Sequence, residues 1–414
     1  MPTASSTSAT CTGRPSAGST SSGPSEASSS GTGASASEPV VATPRVLILS
    51  APFGAGHERV AAALAEAFRD EGAEVEVADH FRRFVSPVFV RGSLALFWTT
   101  LRWAPRLWGL AYALSARMGP RSPAMGGMDR LGADALRRHL ETTRPDLVVH
   151  VHPTSAGALS WLQATGTRRL PHGVVLTDFV AHPQWFYPGL DRYFVASEEI
   201  RNEVIRRGVA AERVVASGIP IVSAFTLPPD RTAARGAVGL DPGCPAVLVT
   251  GGMRGALGGI AEVAGVLADL PMRFGALVVC GDHARLEALL RARFGADPRF
   301  RIFGRVRDME RLMAAADLVV TKAGAVTCSE ALALGRPLVF YRSLPGQERT
   351  NEVYLERVGA GVRAADGTAL ARVLGRALGD PGWRAPLVAA ARRLGRAEAG
   401  RTVAKEMLAL GGGG

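Results

Sequence analysis

Residues 46–57 read VLILSAPFGAGH, an aliphatic run followed by a turn that contains two glycines. Apolar residues at helical spacing continue from this turn to Arg69, and a second strand-like run covers 75–78. A strand, a glycine-containing turn, a helix and another strand make a βαβ unit. The sequence therefore predicts an α/β fold that opens with a parallel sheet.

The alternation of strands and helices continues along the chain in two runs. Further strands are predicted at 147–151, 173–177 and 192–195, and then at 246–250, 275–280, 300–303, 318–321 and 338–341. Between the two runs, Pro220 and Pro228 punctuate a stretch that we interpret as a linker. We predict two Rossmann-like domains, at 45–220 and 231–380, that face each other across a cleft, with a C-terminal helix at 381–408 packing back toward the first.

The first 44 residues consist almost wholly of Ser, Thr, Ala, Gly and Pro. They contain no apolar run that could offset the entropy lost on ordering, so we expect a disordered tail. The tail also lacks the basic start and apolar stretch of a secretory signal. The four cysteines form no CxxC pair and no metal-ligand spacing, which favours a cytoplasmic protein without disulfides.

The chain has a formal net charge of +11 and a sequence pI of about 10.4, which favours an anionic partner. Nearly all the basic residues are arginines, with lysine only at Lys322 and Lys405, so a compositional bias explains the charge equally well. No basic stripe accompanies a nucleic-acid-binding motif, and we expect no nucleic-acid partner.

Residues 81–128 differ from the rest of the chain. They contain seven arginines, no acidic residue and three of the six tryptophans. A basic, aromatic and amphipathic segment is typical of helices that lie in a membrane interface, although it is too interrupted for a spanning helix. We expect this segment to face an anionic membrane; the alternative is a helical insertion that packs its aromatic residues on its own domain.

The first turn carries a candidate catalytic residue. Gly54 and Gly56 allow backbone to approach a ligand closely, and His57 would project from the first helical turn, where a neutral imidazole can accept a proton from a hydroxyl. The alternative is a capping or surface histidine. The turn also half-matches a dinucleotide fingerprint, with Asp79 in the place of the ribose-binding acid, but Arg59 stands where the third glycine is needed.

A second turn of the same kind reads TKAGAVTCSE at 321–330. Gly324 and Ala325 would leave a helix N-terminus open for a diphosphate, and Glu330 could accept hydrogen bonds from ribose hydroxyls. Downstream, Gln347 and Glu348 form a polar pair suited to sugar hydroxyls. The alternative is an ordinary loop and helix cap. No DxD-like acidic pair follows a strand here, so we expect no metal and no other cofactor.

Five motifs stand in a fixed order: FGAGH at 53–57, TDFVAHPQW at 177–185, GIP at 218–220, TKAGAVTCSEA at 321–331 and PGQERTN at 345–351. Over roughly residues 45–408 the chain resembles the processive diacylglycerol glucosyltransferases and plant-type monogalactosyldiacylglycerol synthases, relatives of the peptidoglycan lipid-linked N-acetylglucosaminyltransferase. The resemblance implies a GT-B fold, with the lipid acceptor bound mainly by the first domain and a UDP-sugar mainly by the second.

The resemblance also assigns roles to residues. His57 resembles the acceptor-side histidine, a proposed base, and Asp178 matches the family's TD…H loop facing the cleft. From its chemistry, Asp178 is either the base or the group that orients His57. His182 and Trp185 belong to the acceptor-side loop. The implied donor-binding residues are Gly251, Gly252, Lys322, Gly324, Ala325, Thr327, Glu330, Gln347, Glu348 and Asn351. The glycine run at 53–57 is less complete than in plant members, with Phe53 and Ala55 interrupting it.

The expected activity is an inverting transfer of hexose from UDP-glucose or UDP-galactose to diacylglycerol, at the inner face of the cell membrane. One alternative is GT-B chemistry on another lipid-linked acceptor, or a sugar-nucleotide epimerase. An alternative of another class is a non-catalytic module that binds nucleotide sugars.

Overall fold

The computed structural model describes residues 43–118, 122, 127–128, 130–252 and 259–411. The predicted tail lies outside the described residues except for its last two positions. Of the segment at 81–128, residues 119–121 and 123–126 also lie outside them.

The first sheet has six parallel strands in the order β2-β1-β3-β4-β5-β6. The strands are β1 (Arg45–Ser50), β2 (Glu74–Asp79), β3 (Leu147–His150), β4 (His172–Val175), β5 (Arg192–Phe194) and β6 (Val214–Val215). The helices between them are α1 (Ala55–Asp70), α2 (His80–Phe84), α3 (Pro87–Trp103), α4 (Pro105–Ser115), α5 (Ala133–Thr143), α6 (Pro153–Ala164) and α7 (Glu198–Arg206).

The second sheet also has six parallel strands, in the order β12-β11-β10-β7-β8-β9. They are β7 (Ala246–Thr250), β8 (Gly275–Val279), β9 (Phe300–Phe303), β10 (Leu318–Thr321), β11 (Leu338–Phe340) and β12 (Gly361–Arg363). The helices are α8 (Arg231–Ala237), α9 (Ile260–Ala268), α10 (Ala284–Phe294), α11 (Met309–Ala315), α12 (Ala325–Ala333), α13 (Gln347–Arg357), α14 (Gly367–Gly379), α15 (Pro381–Leu394) and α16 (Ala399–Gly411). We refer to each sheet with its covering helices as a lobe.

Each sheet has a switch point where the strand order reverses. It lies between β1 and β3 in the first sheet and between β7 and β10 in the second. These four strands are almost wholly buried, because helices cover both faces of each sheet. In open parallel sheets, ligands bind outside the carboxyl ends of the strands at such points. The loops that follow β1, β3, β7 and β10 are therefore the ones that build a site.

The predicted strands all form, and the sequence analysis missed two: β6 and β12. Both are edge strands of only two or three residues. So short a run has no periodicity of its own, and it becomes a strand only through pairing with a neighbour.

The C-terminal segment differs from the expected single helix, because residues 381–408 fall in two helices, α15 and α16. The chain turns between them at Gly395, where an added Cβ would lie 2.4 Å from the carbonyl oxygen of Leu332. Helix α15 packs against α12 of the second lobe, whereas α16 packs against α1 and β3 of the first.

Helices α3 and α4 form a helical hairpin. Pro87 and Pro105 stand in the first turn of their helices, where a missing N–H costs nothing, so Pro105 ends one helix and starts the next. Among the described residues, no helix has both the length and the apolar composition needed to cross a bilayer.

Candidate active site

Two helix N-termini, one from each lobe, face each other. Helix α1 begins after Gly54, whose φ of 98° suits glycine, and α12 begins after Gly324. A Cβ at Gly56 would lie 3.8 Å from Cγ2 of Val326, so the two helix starts are in contact. Both follow strands at the switch points of their sheets.

A cavity of about 200 Å³ lies between the lobes at this contact. It is lined by most of the predicted site residues: Gly54, Gly56, His57, Asp178, Gly251, Gly252, Lys322, Gly324, Ala325, Thr327, Gln347, Glu348 and Asn351. The structure therefore brings these thirteen positions, taken from five separate segments of the chain, to one place. Their roles in binding and catalysis stay predictions.

His57 is held in one tautomer. Its Nδ1 lies 2.6 Å from the carbonyl oxygen of Val151, which can only accept, so Nδ1 donates and Nε2 carries the lone pair. Burial lowers the pKa of His57 to about 4, partly offset by this hydrogen bond. The suggestion that Asp178 orients His57 is wrong, because the Val151 carbonyl at the end of β3 holds Nδ1 instead.

Asp178 contacts the opposite lobe. Nδ2 of Asn351 donates to its Oδ1 at 2.9 Å, while Oδ1 of Asn351 accepts from the backbone N–H of Phe179 at 2.8 Å. Burial raises the pKa of Asp178 to about 6; the hydrogen bond from Asn351 opposes this shift and the charge of Glu348 adds to it. A carboxylate that titrates near neutrality inside a cleft is typical of functional sites.

Lys322 and Glu348, which both line the cavity from the second lobe, form an ion pair. The second carboxylate oxygen of Glu348 accepts from the backbone N–H of Leu344 at 2.9 Å. Both oxygens of Glu348 are therefore occupied within the protein, whereas the neighbouring Gln347 opens α13 and lines the cavity.

Glu330 does not line the cavity surface. It lies behind Arg59, with its side chain only 1% exposed, and it forms an ion pair with the Arg59 guanidinium. Arg59, in contrast, lines the cavity. Sequence reasoning used Arg59 only as a mismatch to a dinucleotide fingerprint; its position near the N-terminal end of α1, the end predicted to face the cleft, was the signal that could have placed it there.

His182 and Trp185 are not brought to the cavity wall. The Nδ1 of His182 caps a short 3-10 helix, Pro183–Trp185, and its Nε2 lies 3.3 Å from Oγ of Ser115. Its ring packs against Tyr112 of α4 at 4.8 Å between centroids. Trp185 is 5% exposed within the hydrophobic core. His182 therefore contacts α4, whose Trp108 lines the cavity, and Trp185 belongs to the hydrophobic core.

The inner face of the helical hairpin supplies an aromatic wall that sequence reasoning missed. Phe97, Trp98, Leu101 and Trp108 line the cavity together with Phe53. Phe97 lies 5.0 Å from Trp108 and 5.7 Å from Phe53, centroid to centroid, in edge-to-face geometry. These residues were assigned to a membrane-facing segment as a whole, because sequence alone does not separate the two faces of a helix that is apolar on both.

The outer face of the helical hairpin is apolar and basic. Its exposed side chains are Val88, Phe89, Leu96, Trp103, Leu107, Leu110 and Leu114. Arg91, Arg102 and Arg106 are exposed between them, and residues 87–115 contain no acidic residue. Seven exposed large apolar side chains on two neighbouring helices are more than the single ones that any surface carries, and such a surface is typical of interaction sites.

The hairpin also touches the loop before α13. A Cβ at Gly109 would lie 2.7 Å from Cβ of Pro345, and one at Gly346 would lie 3.2 Å from Nε1 of Trp108. Glycine at both positions allows α4 to pack directly on the loop that leads to Gln347.

Comparison with known proteins matches both lobes. The family model of monogalactosyldiacylglycerol (MGDG) synthase matches residues 57–221, and that of the glycosyltransferase family 28 C-terminal domain matches residues 246–378. A processive diacylglycerol beta-glucosyltransferase from Bacillus cytotoxicus is 31% identical over 325 residues, which cover 78% of this chain and 82% of the relative.

Solved structures share the fold. MurG from Acinetobacter baumannii superposes with a TM-score of 0.59 at 17% identity, covering 88% of this chain and 99% of that one. The S. aureus MnaA–UDP co-structure gives a TM-score of 0.58 at 14% identity, with 87% and 95% covered. The predicted GT-B fold, two Rossmann-like sheets facing across a cleft, is confirmed.

Proposed function

This chain belongs to the family of processive diacylglycerol beta-glucosyltransferases, and we propose that it transfers a hexose from a UDP-sugar to diacylglycerol with inversion at the anomeric carbon. One observation carries the proposal: His57 from the first lobe and the open N-terminus of α12 from the second line the same cavity. An acceptor hydroxyl and a donor diphosphate can therefore meet between them.

The donor diphosphate binds at the start of α12. The N–H of Gly324 donates to the carbonyl oxygen of Lys322 at 2.7 Å, so it does not serve the donor. The backbone N–H of Ala325 and the positive end of the helix dipole lie at the cavity wall, and Gly251 and Gly252 allow backbone to approach the phosphates. These groups stabilise the negative charge that develops on the departing UDP. We propose that no metal is needed for this step, and that Glu330 accepts hydrogen bonds from the ribose.

The acceptor hydroxyl loses its proton to His57. The hydroxyl oxygen attacks the anomeric carbon opposite the leaving group, the bond from that carbon to the phosphate oxygen breaks with its electron pair going to UDP, and the proton moves to Nε2. The Val151 carbonyl then stabilises the imidazolium through Nδ1–H. In-line displacement from an α-linked donor gives a β-glycoside.

Asp178 acts as a clamp rather than as the base. Its hydrogen bond with Asn351 joins the acceptor-side loop to α13, which begins with the proposed sugar contacts Gln347 and Glu348. The ionised carboxylate makes this bond charge-assisted, and such bonds are stronger than neutral ones. Ionisation of Asp178 therefore strengthens the link that holds the acceptor-side loop against α13.

The outer face of the helical hairpin provides the contact with the membrane. Its leucines and Trp103 enter the boundary between headgroups and acyl chains, and the arginines pair with anionic lipid. The aromatic wall on the inner face then leads from the bilayer to His57. We propose a cytoplasmic protein held at the inner face of the cell membrane.

The test is incubation of the chain with UDP-glucose or UDP-galactose and vesicles that contain diacylglycerol, following UDP release and the mass of the lipid products. We expect lipid-dependent UDP release and a β-linked hexosyl lipid, identified from the coupling constant of its anomeric proton. Release that requires a different lipid-linked acceptor, conversion of the UDP-sugar without any lipid, or binding without turnover would each contradict the proposal.

A further inference from the structure

Arg59 links the two lobes at the donor site. It stands on α1 of the first lobe, and its guanidinium pairs with Glu330 on α12 of the second lobe, 271 residues away. Its side chain is 28% exposed and lines the cavity beside the start of α12, where the diphosphate is proposed to bind. Arg59 therefore stands between the cavity and the carboxylate that is proposed to bind ribose.

Glu330 is incompletely satisfied in this arrangement. Its side chain is 1% exposed, one oxygen pairs with Arg59, and the other, Oε2, has no hydrogen-bond partner among the described residues. A buried carboxylate oxygen without a partner is costly. A vicinal diol supplies two hydroxyl donors, enough to serve Oε2 and to replace the N–H of Arg59 on Oε1.

Arg59 covers the carboxylate at the cavity wall, so a ribose can reach Glu330 only after the guanidinium has moved. Once displaced, the guanidinium would be a partly buried charge without a carboxylate partner, and a diphosphate at the neighbouring helix start offers it two acceptors.

We propose that Arg59 changes its partner when the donor binds: it neutralises Glu330 in the empty cleft and moves to the diphosphate when ribose hydroxyls take its place on Glu330. Arginine suits this role, because its planar guanidinium binds carboxylate and phosphate with the same bidentate geometry. The inference rests on the proposed function, because it takes a uridine diphosphate as the donor fragment. It adds a phosphate contact supplied by the acceptor-side lobe, so that the diphosphate keeps α1 linked to α12 when the ion pair with Glu330 breaks.

The experiment compares the dissociation constants of UDP and uridine, measured by calorimetry, because both carry ribose and only one carries phosphate. Glu330→Gln should weaken both ligands by the same factor and leave their affinity ratio unchanged. The double variant Arg59→Gln with Glu330→Gln should lower the preference for UDP over uridine by at least about tenfold relative to Glu330→Gln, since only UDP loses a contact. The double variant leaves no buried carboxylate unpaired, so folding is preserved.

The single variant Arg59→Gln should change the affinities for uridine and UDP differently. Uridine should bind at least as tightly as to the unaltered chain, because Glu330 no longer has to release Arg59, while UDP should bind about tenfold more weakly. Equal changes for the two ligands, or an unchanged ratio in the double variant, would overturn the inference and leave the proposed function standing. Failure of the unaltered chain to bind either ligand would overturn both.

Discussion

Asn351 of the second lobe donates a hydrogen bond to Asp178 of the first, with 2.9 Å between Nδ2 and Oδ1. Its side-chain oxygen accepts from the next backbone N–H, that of Phe179, at 2.8 Å. One amide thus spans the cleft and fixes the acceptor-side loop against α13. The ionisation of Asp178 controls the strength of this link.

The pH dependence follows from the raised pKa of Asp178, about 6. Above that pH the carboxylate is ionised and the link is charge-assisted; below it the acid is protonated and the link weakens. We expect kcat/KM to fall as the pH drops through about 6. Asp178→Asn keeps an acceptor for Asn351, so this variant should keep a measurable rate. The acid limb of its pH–rate profile should move toward pH 4, because the pKa of His57 is about 4. An inactive Asp178→Asn variant together with an active His57 variant would show that Asp178, not His57, is the base.

The packing of α4 on the donor-side loop predicts an effect of adding one methyl group. In Gly109→Ala the new Cβ would lie 2.7 Å from Cβ of Pro345, so the helix and the loop must separate. Because this loop leads to Gln347, we expect the KM for the UDP-sugar to rise by about tenfold. Gly92→Ala on α3 is the matched control: nothing lies within 4 Å of its added Cβ. It should leave KM unchanged and stabilise the protein by about 0.5–1 kcal/mol in denaturant unfolding.

The outer face of the helical hairpin predicts membrane affinity. Replacing Leu107, Leu110 and Leu114 together by Ser removes three exposed apolar side chains from one face of α4. Co-sedimentation with vesicles that contain anionic lipid should fall by at least about tenfold, given ~1.5–3 kcal/mol for each fully buried leucine. Leu227 and Leu289 are also exposed but lie outside the hairpin, and their replacement by Ser should change nothing. Equal binding by all variants would exclude this face as the membrane contact.

The buried arginine of the second lobe predicts a large effect on stability. Arg235 is 1% exposed and donates to Asp317 at 2.7 Å and to the carbonyl oxygen of Ala315 at 2.9 Å. Arg235→Met leaves Asp317 short of a buried partner and should lower the free energy of unfolding by about 3–5 kcal/mol. Arg231 pairs with the same carboxylate from a more exposed position, so Arg231→Met should cost less than about 1 kcal/mol. Similar midpoints for the two variants in urea would contradict this account of the network.

Sequence reasoning predicted the central strands because each is a short apolar run buried on both faces. It also predicted most of the cavity, since residues that follow parallel strands at their carboxyl ends must lie along one edge. Sequence reasoning could not predict the contacts that join the two lobes across the cleft. The pairs Arg59–Glu330 and Asn351–Asp178 join positions 271 and 173 residues apart, and they depend on how the lobes face each other rather than on any local pattern.

The orientation of His57 was equally hidden, because its partner is a backbone carbonyl that any residue at position 151 would supply. The division of the helical hairpin into a cavity-lining face and an exposed face depends on its contacts with Phe53 and with the loop before α13, which are distant in sequence. Its sequence is apolar almost all round, so periodicity did not distinguish the two faces.

The central claim, that His57 accepts the acceptor's proton in a cleft whose other wall binds UDP, is tested most directly by His57→Gln. The variant should bind UDP with the dissociation constant of the unaltered chain, while transfer to diacylglycerol falls by at least about a hundredfold. A variant that binds UDP normally and still transfers sugar at the original rate would contradict the claim.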